Sequence, residues 1–433
     1  MHAAKQPSMG RFEERVWRPS GRVHAGRRHR APQRIRTYVP DPLAEWAGTI
    51  SGAAAAIITE ADRAVSDLNR DATALSGLEA LSRQLLRQES VASSRIEGLV
   101  MGQRRLARAA HEAGGEEAAR QIVGNIRAME RAIALGSQPS AFTYDDLIEI
   151  HRTLLEATGD RHLAGVVRGK QNWIGGRGFS PADAEFIPPP PEFVDELLQD
   201  LVAFVNRDDL PATLQAAAAH AQFETIHPFI DGNGRVGRCV IHVVLRRAGI
   251  APTVVPPISL ILATGANDYI RGLGAWRGDE PVEWCLNFAR VAITAVREAR
   301  RLASMVEQLQ AAWLARAGNP RRDSSARALI EQLPGEPIVS VARAMELTAT
   351  TRPAADRAIR ALEAAEVLTP LGDRKRNRQW EAREVFDLLD RFEGELATPE
   401  QLSRPARPAP PRPSLTARGF ESPRSPSLGL RRR

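Results

Sequence analysis

The stretch His227-Pro-Phe-Ile-Asp-Gly-Asn-Gly-Arg-Val-Gly-Arg238 decides how this chain is interpreted. Asp231-Gly-Asn-Gly is a tight turn, and the apolar residues Val236, Val240 and Val244 mark a helix that begins directly after it. A glycine-rich turn that opens a helix points several backbone N–H groups at one place, in the positive end of the helix dipole. The segment therefore predicts an anion-binding nest.

The polar side chains around this turn extend the prediction. Arg235 and Arg238 are three residues apart, so both project from one side of the first helical turn and suit a polyphosphate. Asp231 beside a phosphate cradle is explained by a bound Mg²⁺, and His227 is suited to act as a general base. The alternative, a helix-capping histidine beside surface ion pairs, explains single residues but not the whole pattern.

The same residues match every defined position of the Fic motif, H-P-F-x-[DE]-G-N-G-R-x-x-R, so the chain resembles the Fic family. Gln222-Phe-Glu-Thr-Ile resembles the segment that precedes this motif, and Gln171-Asn-Trp-Ile-Gly-Gly resembles the family's flap. The resemblance covers about residues 38–295. It implies an all-helical catalytic unit that transfers AMP from ATP to a protein hydroxyl.

The resemblance also implies a role for each matched residue. His227 would deprotonate the target hydroxyl, and Asp231 would hold Mg²⁺ between the α- and β-phosphates of ATP. The nucleotide-binding residues would be Gly232, Asn233, Gly234, Arg235, Val236, Gly237, Arg238 and Tyr269. The flap residues Gln171, Asn172, Trp173, Ile174, Gly175 and Gly176 would clamp the target protein by main-chain pairing. ATP and Mg²⁺ are the expected cofactors.

A second motif, Ser93-Ser-Arg-Ile-Glu-Gly98, lies on the N-terminal side. Ser93 and Glu97 are four residues apart and share a helix face, although a helix end at Gly98 explains much of the pattern. The segment resembles the family's inhibitory helix, S/T-x-x-x-E-G/N. This resemblance implies that Glu97 pairs with Arg238 and takes the charge partner that the γ-phosphate needs.

The chain is expected to be mainly α: a Fic-type helical bundle with a small β-hairpin flap, followed by a winged helix-turn-helix. Thr143, with carboxylates in the next turn, predicts one helix start. Two short strands around Arg374-Lys-Arg-Asn-Arg378 predict the wing. The predicted units are a disordered basic tail at 1–37, an N-terminal helical region with the inhibitory helix at 38–135, a Fic catalytic domain at 136–295, a helical linker at 296–320, the winged helix-turn-helix at 321–397 and a disordered Pro/Arg-rich tail at 398–433.

Composition limits the classes of function. Of 433 residues 43% are apolar, which excludes disorder throughout, and no apolar run reaches the roughly 18 residues of a membrane span. The net charge is +7, but residues 1–42 carry +7 and residues 399–433 carry +6, so the rest carries −6. The basic character therefore belongs to the ends. Cys239 and Cys285 cannot form a disulfide framework, so reduced thiols and a cytoplasmic location are expected.

Two alternatives stay open. Other phosphate-linked transfers, or removal of AMP, occur on the same fold, although an intact Gly234 leaves room for the α-phosphate and favours AMP transfer over phosphorylation. A DNA-binding regulator acting through the winged helix comes from another class, and that unit could equally dock a target or form a homodimer.

Overall fold

The computed structural model describes residues 9–19, 31–72, 78–109, 116–176, 180–278, 280–372 and 378–396. Within these ranges the protein is mainly helical, as predicted. The helices are α1 Gly52–Ala72, α2 Leu78–Ile96, α3 Gln103–Ala109, α4 Glu117–Gly136, α5 Tyr144–Leu155, α6 Val194–Val205, α7 Ala212–Ile226, α8 Asn233–Arg247, α9 Ile258–Thr264, α10 Ala266–Arg277, α11 Pro281–Arg316, α12 Ser325–Gln332, α13 Val341–Thr348, α14 Arg352–Ala364 and α15 Arg383–Leu396. No helix in the described ranges combines the length and apolar character needed to cross a bilayer.

Helices α7 and α8 form the centre of the bundle. Every residue of α7 is buried, and its alanine-rich middle lets neighbouring helices approach closely. The start of α7 is capped by Asp62, whose carboxylate accepts hydrogen bonds from the backbone N–H groups of Ala212 and Thr213. Since the turn between α7 and α8 carries the motif, the core itself positions the site.

The N-terminal region contains a β-hairpin. Strand β1 (Gly10–Trp17) pairs antiparallel with β2 (Gln33–Pro40). Ile35 and the last four residues of β2, 37–40, are buried. The prediction of a disordered tail over 1–37 is therefore wrong for both strands, because the Arg- and Pro-rich composition concealed this buried segment. The predicted tail at 398–433 lies outside the described residues.

Helix α11 continues without a break through the boundary predicted at residue 295. The predicted linker at 296–320 is therefore largely the second half of this helix. Trp313 near its end is buried, and its indole N–H donates to the carboxylate of Glu384 on α15. The segment is thus packed against the C-terminal unit and does not act as a free connector.

The C-terminal unit combines α12–α15 with a small antiparallel sheet. Strands β3 (Ile338–Ser340), β4 (Thr369–Pro370) and β5 (Gln379–Glu381) lie in the order β3-β5-β4. The sequence predicted the last two strands and missed β3, which has only three residues. The predicted wing tip at 373–377 lies outside the described residues.

The C-terminal unit contacts both the inhibitory motif and the segment that follows it. Arg95 and Gln103 both donate to the carboxylate of Glu393 on α15. Arg104 and Arg108 on α3 donate to Glu381, whose side chain is only 3% exposed. These contacts tie the end of α2 and all of α3 to the far end of the chain.

Candidate active site

His227 ends α7 in the left-handed backbone region, with φ 49° and ψ 59°. Its N–H donates to the carbonyl of Phe223 at 2.9 Å. Its own carbonyl accepts from Arg168 Nε at 2.8 Å and from Asn172 Nδ2 at 3.1 Å. This conformation costs a non-glycine residue energy and is maintained by these bonds, so the position of the imidazole is fixed by its surroundings.

The His227 ring has one buried and one accessible nitrogen. Nδ1 is buried without a hydrogen-bond partner among the described residues and lies 4.0 Å from Glu224 Oε2. The side chain keeps 19% of its surface exposed. Burial, together with the charges of Arg168 and Arg277, lowers the pKa of His227 to about 3. The imidazole is therefore neutral at pH 7 and can accept a proton.

The turn after His227 has the geometry of the predicted nest. Gly232 lies in the left-handed region with φ 84°, and α8 begins at Asn233. The Asn233 side chain is already used: Oδ1 accepts from Phe229 N and Nδ2 donates to Phe229 O, both at 2.8 Å. These two bonds close the turn that shapes the nest, and the assignment of Asn233 to nucleotide binding stays a prediction.

His151 on α5 supports the same turn from below. Its Nδ1 accepts from Gly165 N at 3.0 Å, which leaves the proton on Nε2 to donate to the Asp231 carbonyl at 3.1 Å. The ring stacks on Phe229 with centroids 3.6 Å apart. Burial lowers the pKa of His151 to about 4, so it is a neutral structural group.

Arg235 and Asp231 supply charge at the nest. Arg235 Nη2 donates to Asp231 Oδ2 at 3.2 Å, while Arg235 Nε and Nη1 are buried with no hydrogen-bond partner among the described residues. Unpartnered buried guanidinium donors beside a helix N-terminus suit a phosphate. Asp231 is 42% exposed, and the described residues contain no cluster of three or more metal-ligating side chains. One open carboxylate fits Mg²⁺, which commonly binds through one or two carboxylates, waters and substrate phosphates.

Arg238 is held by the inhibitory motif. Its Nε donates to Ser93 Oγ at 2.8 Å, and its Nη2 donates to Glu97 Oε1 at 2.7 Å. Gly98, with φ 80°, ends the helix as predicted. A Cβ on Gly234 would overlap Glu97 Oε1, so this carboxylate covers the first turn of α8. The contact that the sequence implied between Glu97 and Arg238 is present.

A second contact between α2 and α8 escaped the sequence analysis. Glu89 is fully buried, lies 2.8 Å from His242 Nε2 and accepts from Ser259 N at 2.7 Å. Glu89 precedes Ser93 by four residues, as Arg238 precedes His242. This repeated spacing of four places each pair on one helix face, and it was the signal in the sequence that could have predicted the second contact.

Tyr269 is buried on α10, with its hydroxyl 3.0 Å from His220 Nε2. The two rings are stacked with centroids 5.9 Å apart. The structure thus places Tyr269 in the packed interior, and its contact with a nucleoside stays a prediction. Val236 and Gly237 are likewise buried along α8.

The predicted flap lies beside His227. Ile174 and Phe186 form one antiparallel bridge, with Ile174 N donating to Phe186 O at 2.8 Å. Gln171 Nε2 donates to the Pro188 carbonyl at 2.9 Å. The Trp173 ring meets Trp17 of β1 edge-on. Gly175 and Gly176 both have positive φ and make the turn, whereas residues 177–179 lie outside the described ranges.

Comparison with known proteins gives a consistent result. The Fic/DOC family matches residues 141–245, and the Fic/DOC family N-terminal region matches residues 56–134. Protein adenylyltransferase fic-1 of Caenorhabditis elegans is 33% identical over 126 residues, which are 28% of this chain and 23% of that protein. Protein adenylyltransferase Fic of Drosophila erecta is 34% identical over 140 residues, 31% of this chain and 26% of that protein.

The chain thus covers about a quarter of the length of these curated relatives. Among solved structures, a Fic family protein from Desulfovibrio desulfuricans is 19% identical, and the match covers 77% of this chain and 97% of that one with a TM-score of 0.47. The motif at 227–238 lies within the first of these matches, so the similarity to the Fic/DOC family covers residues 56–134 and 141–245.

Proposed function

We propose that this protein is a protein adenylyltransferase that transfers AMP from Mg-ATP to a Ser, Thr or Tyr hydroxyl of a target protein. One observation carries the proposal. The neutral His227 imidazole precedes the turn that opens α8, and in the first turn of that helix Arg235 Nε and Nη1 have no hydrogen-bond partner among the described residues. The names of the curated relatives support the same reaction.

The residues divide the work of this reaction. His227 takes the proton of the target hydroxyl as its oxygen attacks the α-phosphorus and pyrophosphate leaves. The turn at Gly232 and the Arg235 guanidinium bind phosphate oxygens and stabilise the developing charge. Asp231 would hold Mg²⁺, which would supply positive charge against the phosphates of ATP. The flap at 171–176 lies next to His227 and would position the target segment.

We further propose that Glu97 restrains this activity. Its carboxylate accepts a hydrogen bond from Arg238, which would otherwise bind the outer phosphates, and it covers the space next to Gly234. A charge-assisted hydrogen bond of this kind is worth roughly 1.5–3 kcal/mol, so its loss should raise the rate about 10- to 100-fold. The restraint therefore limits the resting rate without removing any catalytic group.

The test is self-labelling with ATP radiolabelled at the α-phosphate. Glu97→Gly is expected to increase labelling about 10- to 100-fold over the unmodified protein, and adding His227→Ala to it should abolish labelling. Labelling from γ-labelled ATP would instead indicate phosphorylation, and loss of label on incubation without ATP would indicate AMP removal. Unchanged labelling in Glu97→Gly would contradict the restraint, and persistent labelling in His227→Ala would contradict the base role.

A second function is favoured by the C-terminal unit. Its order of helices and strands supports the proposal of a winged helix-turn-helix, and Arg352, Arg357 and Arg360 are exposed on α14. We propose that this unit binds DNA through α14. The full chain should shift a DNA duplex in a gel assay with a strong dependence on salt, and Arg357→Ala with Arg360→Ala should weaken the shift. No shift at low salt would leave protein docking as its role.

A further inference from the structure

Glu224 and His227 face each other across a buried gap beside the site. They lie three residues apart at the end of α7, with Glu224 Oε2 4.0 Å from His227 Nδ1. Glu224 Oε1 and His227 Nδ1 are both buried without a hydrogen-bond partner among the described residues. Buried polar groups normally find partners, so this arrangement requires an explanation.

Gly237 on α8 provides the space for this carboxylate. A Cβ at Gly237 would lie 2.7 Å from Glu224 Oε1. The first turns of α8 therefore pass over Glu224 only because residue 237 has no side chain. An ionisable group buried so close to the motif is costly, and an apolar residue would fill the same volume more cheaply. Its presence points to a part in the chemistry of the site.

We propose that Glu224 is a positioning residue for His227, an inference that rests on the proposed AMP transfer. The Glu224 carboxylate accepts the Nδ1–H of His227, which fixes the tautomer whose Nε2 lone pair meets the target hydroxyl. Nε2 makes no hydrogen bond with the described residues, and the side chain keeps 19% of its surface exposed, so Nε2 is the ring nitrogen open to substrate. A small side-chain rotation closes the 4.0 Å gap, as catalytic hydrogen bonds commonly tighten when substrate binds.

The reaction step shows what the carboxylate contributes. The hydroxyl oxygen forms a bond to the α-phosphorus as the bond from that phosphorus to the bridging oxygen breaks, and pyrophosphate leaves with the electron pair. The hydroxyl proton moves to His227 Nε2. The ring is then an imidazolium whose Nδ1–H still points at the ionised Glu224, which stabilises the new positive charge.

The charges around the pair give this role a signature in pH. The pKa of Glu224 is raised to about 7 in total, because burial and the charge of Glu97 raise it more than Arg238 lowers it. The carboxylate therefore changes charge near neutral pH, and its protonated form resembles glutamine. Loss of Glu97 lowers the pKa of Glu224, so in Glu97→Gly the change falls below pH 7. The other charged groups acting on the pair are Arg277, Arg168 and Asp231.

The experiment uses the full chain with Glu97→Gly as the parent and measures self-labelling from α-labelled ATP. Glu224→Gln should lower the maximal rate about 10-fold and Glu224→Ala about 100-fold, with the half-saturating ATP concentration changed less than about twofold. The ratio of the parent rate to the Glu224→Gln rate should fall towards one as the pH drops through the pKa of Glu224. Glu60→Gln, an exposed carboxylate on α1, is the matched control and should match the parent.

Thermal unfolding and calorimetric ATP binding establish that each variant is folded. Folded Glu224 variants with the parent's maximal rate would overturn the inference. A loss that is the same at every pH would also overturn it, since that is the signature of packing alone. If the parent transfers no label, or if His227→Ala leaves its labelling intact, the proposed function itself fails and takes this inference with it.

Discussion

Two carboxylates, Glu89 on α2 and Glu97 just past its end, contact α8, and their surroundings differ sharply. Glu89 is fully buried and held by both His242 and the N-terminus of α9. Glu97, eight residues further on, is 38% exposed and makes its hydrogen bond to Arg238 at the edge of the nest. One carboxylate is thus built into the core, whereas solvent reaches the other. We therefore expect release of the proposed restraint to involve Glu97 and not Glu89.

The largest expected effect concerns the buried carboxylate, Glu89. Glu89→Ala removes one partner of a buried pair and leaves His242 and the Ser259 N–H without an acceptor. We expect the free energy of unfolding to fall by roughly 3–5 kcal/mol, measured by urea denaturation. Glu97→Ala, just past the end of the same helix, is the matched control and should cost less, roughly 1.5–3 kcal/mol, because it removes one charge-assisted hydrogen bond of a partly exposed carboxylate. Equal costs for the two variants would contradict the difference between a buried and a partly exposed carboxylate.

A smaller effect is expected at Ser93, which contacts Arg238 next to the partly exposed Glu97. Ser93→Ala removes the hydroxyl that accepts from Arg238 Nε, while the contact to Glu97 remains. We expect self-labelling to rise by about 2- to 10-fold, less than in Glu97→Gly, since one hydrogen bond of the restraint is lost. In the presence of Glu97→Gly the same change should add little. An additive increase would show that Ser93 acts on the transfer step and not on the restraint.

The smallest expected effect tests the contact with the C-terminal unit. Burial raises the pKa of Glu381, but hydrogen bonds from Arg104 and Arg108 outweigh it, so the pKa lies below the ordinary 4.5. A lowered pKa means that the stabilisation is complete above pH 4.5 and is lost as the pH falls below it. Since both arginines are partly exposed, we expect the stabilisation from these contacts to be on the order of 1 kcal/mol. The difference in unfolding free energy between the unmodified protein and Glu381→Gln should shrink below that pH.

Features that depend on residues close together in the sequence were predicted correctly. Thr143 caps α5 with a reciprocal bond from Asp146, as the polar pattern predicted. The turn between α7 and α8 was equally readable, because glycine spacing and helix periodicity act within a few residues. The contact between Glu97 and Arg238 spans 141 positions and was predicted only through the resemblance.

The features that were missed depend on three-dimensional partners. The pairing of β1 with β2 joins segments separated by 15 residues, and the composition between them indicated disorder. The Asn233 side chain turned inward because the Phe229 backbone needed both a donor and an acceptor. Neither requirement is visible until the chain is folded, since each is set by backbone groups that every residue carries.

The bond from Arg95 to Glu393 affects how this protein can be studied in pieces. Arg95 stands between Ser93 and Glu97, and its acceptor lies near the opposite terminus. A shortened version that ends at residue 295 would keep every residue of the motif and lose this tether. If Arg95 helps to hold the proposed restraint, we expect this version to label itself faster than the full chain, so measurements of resting activity require the full chain.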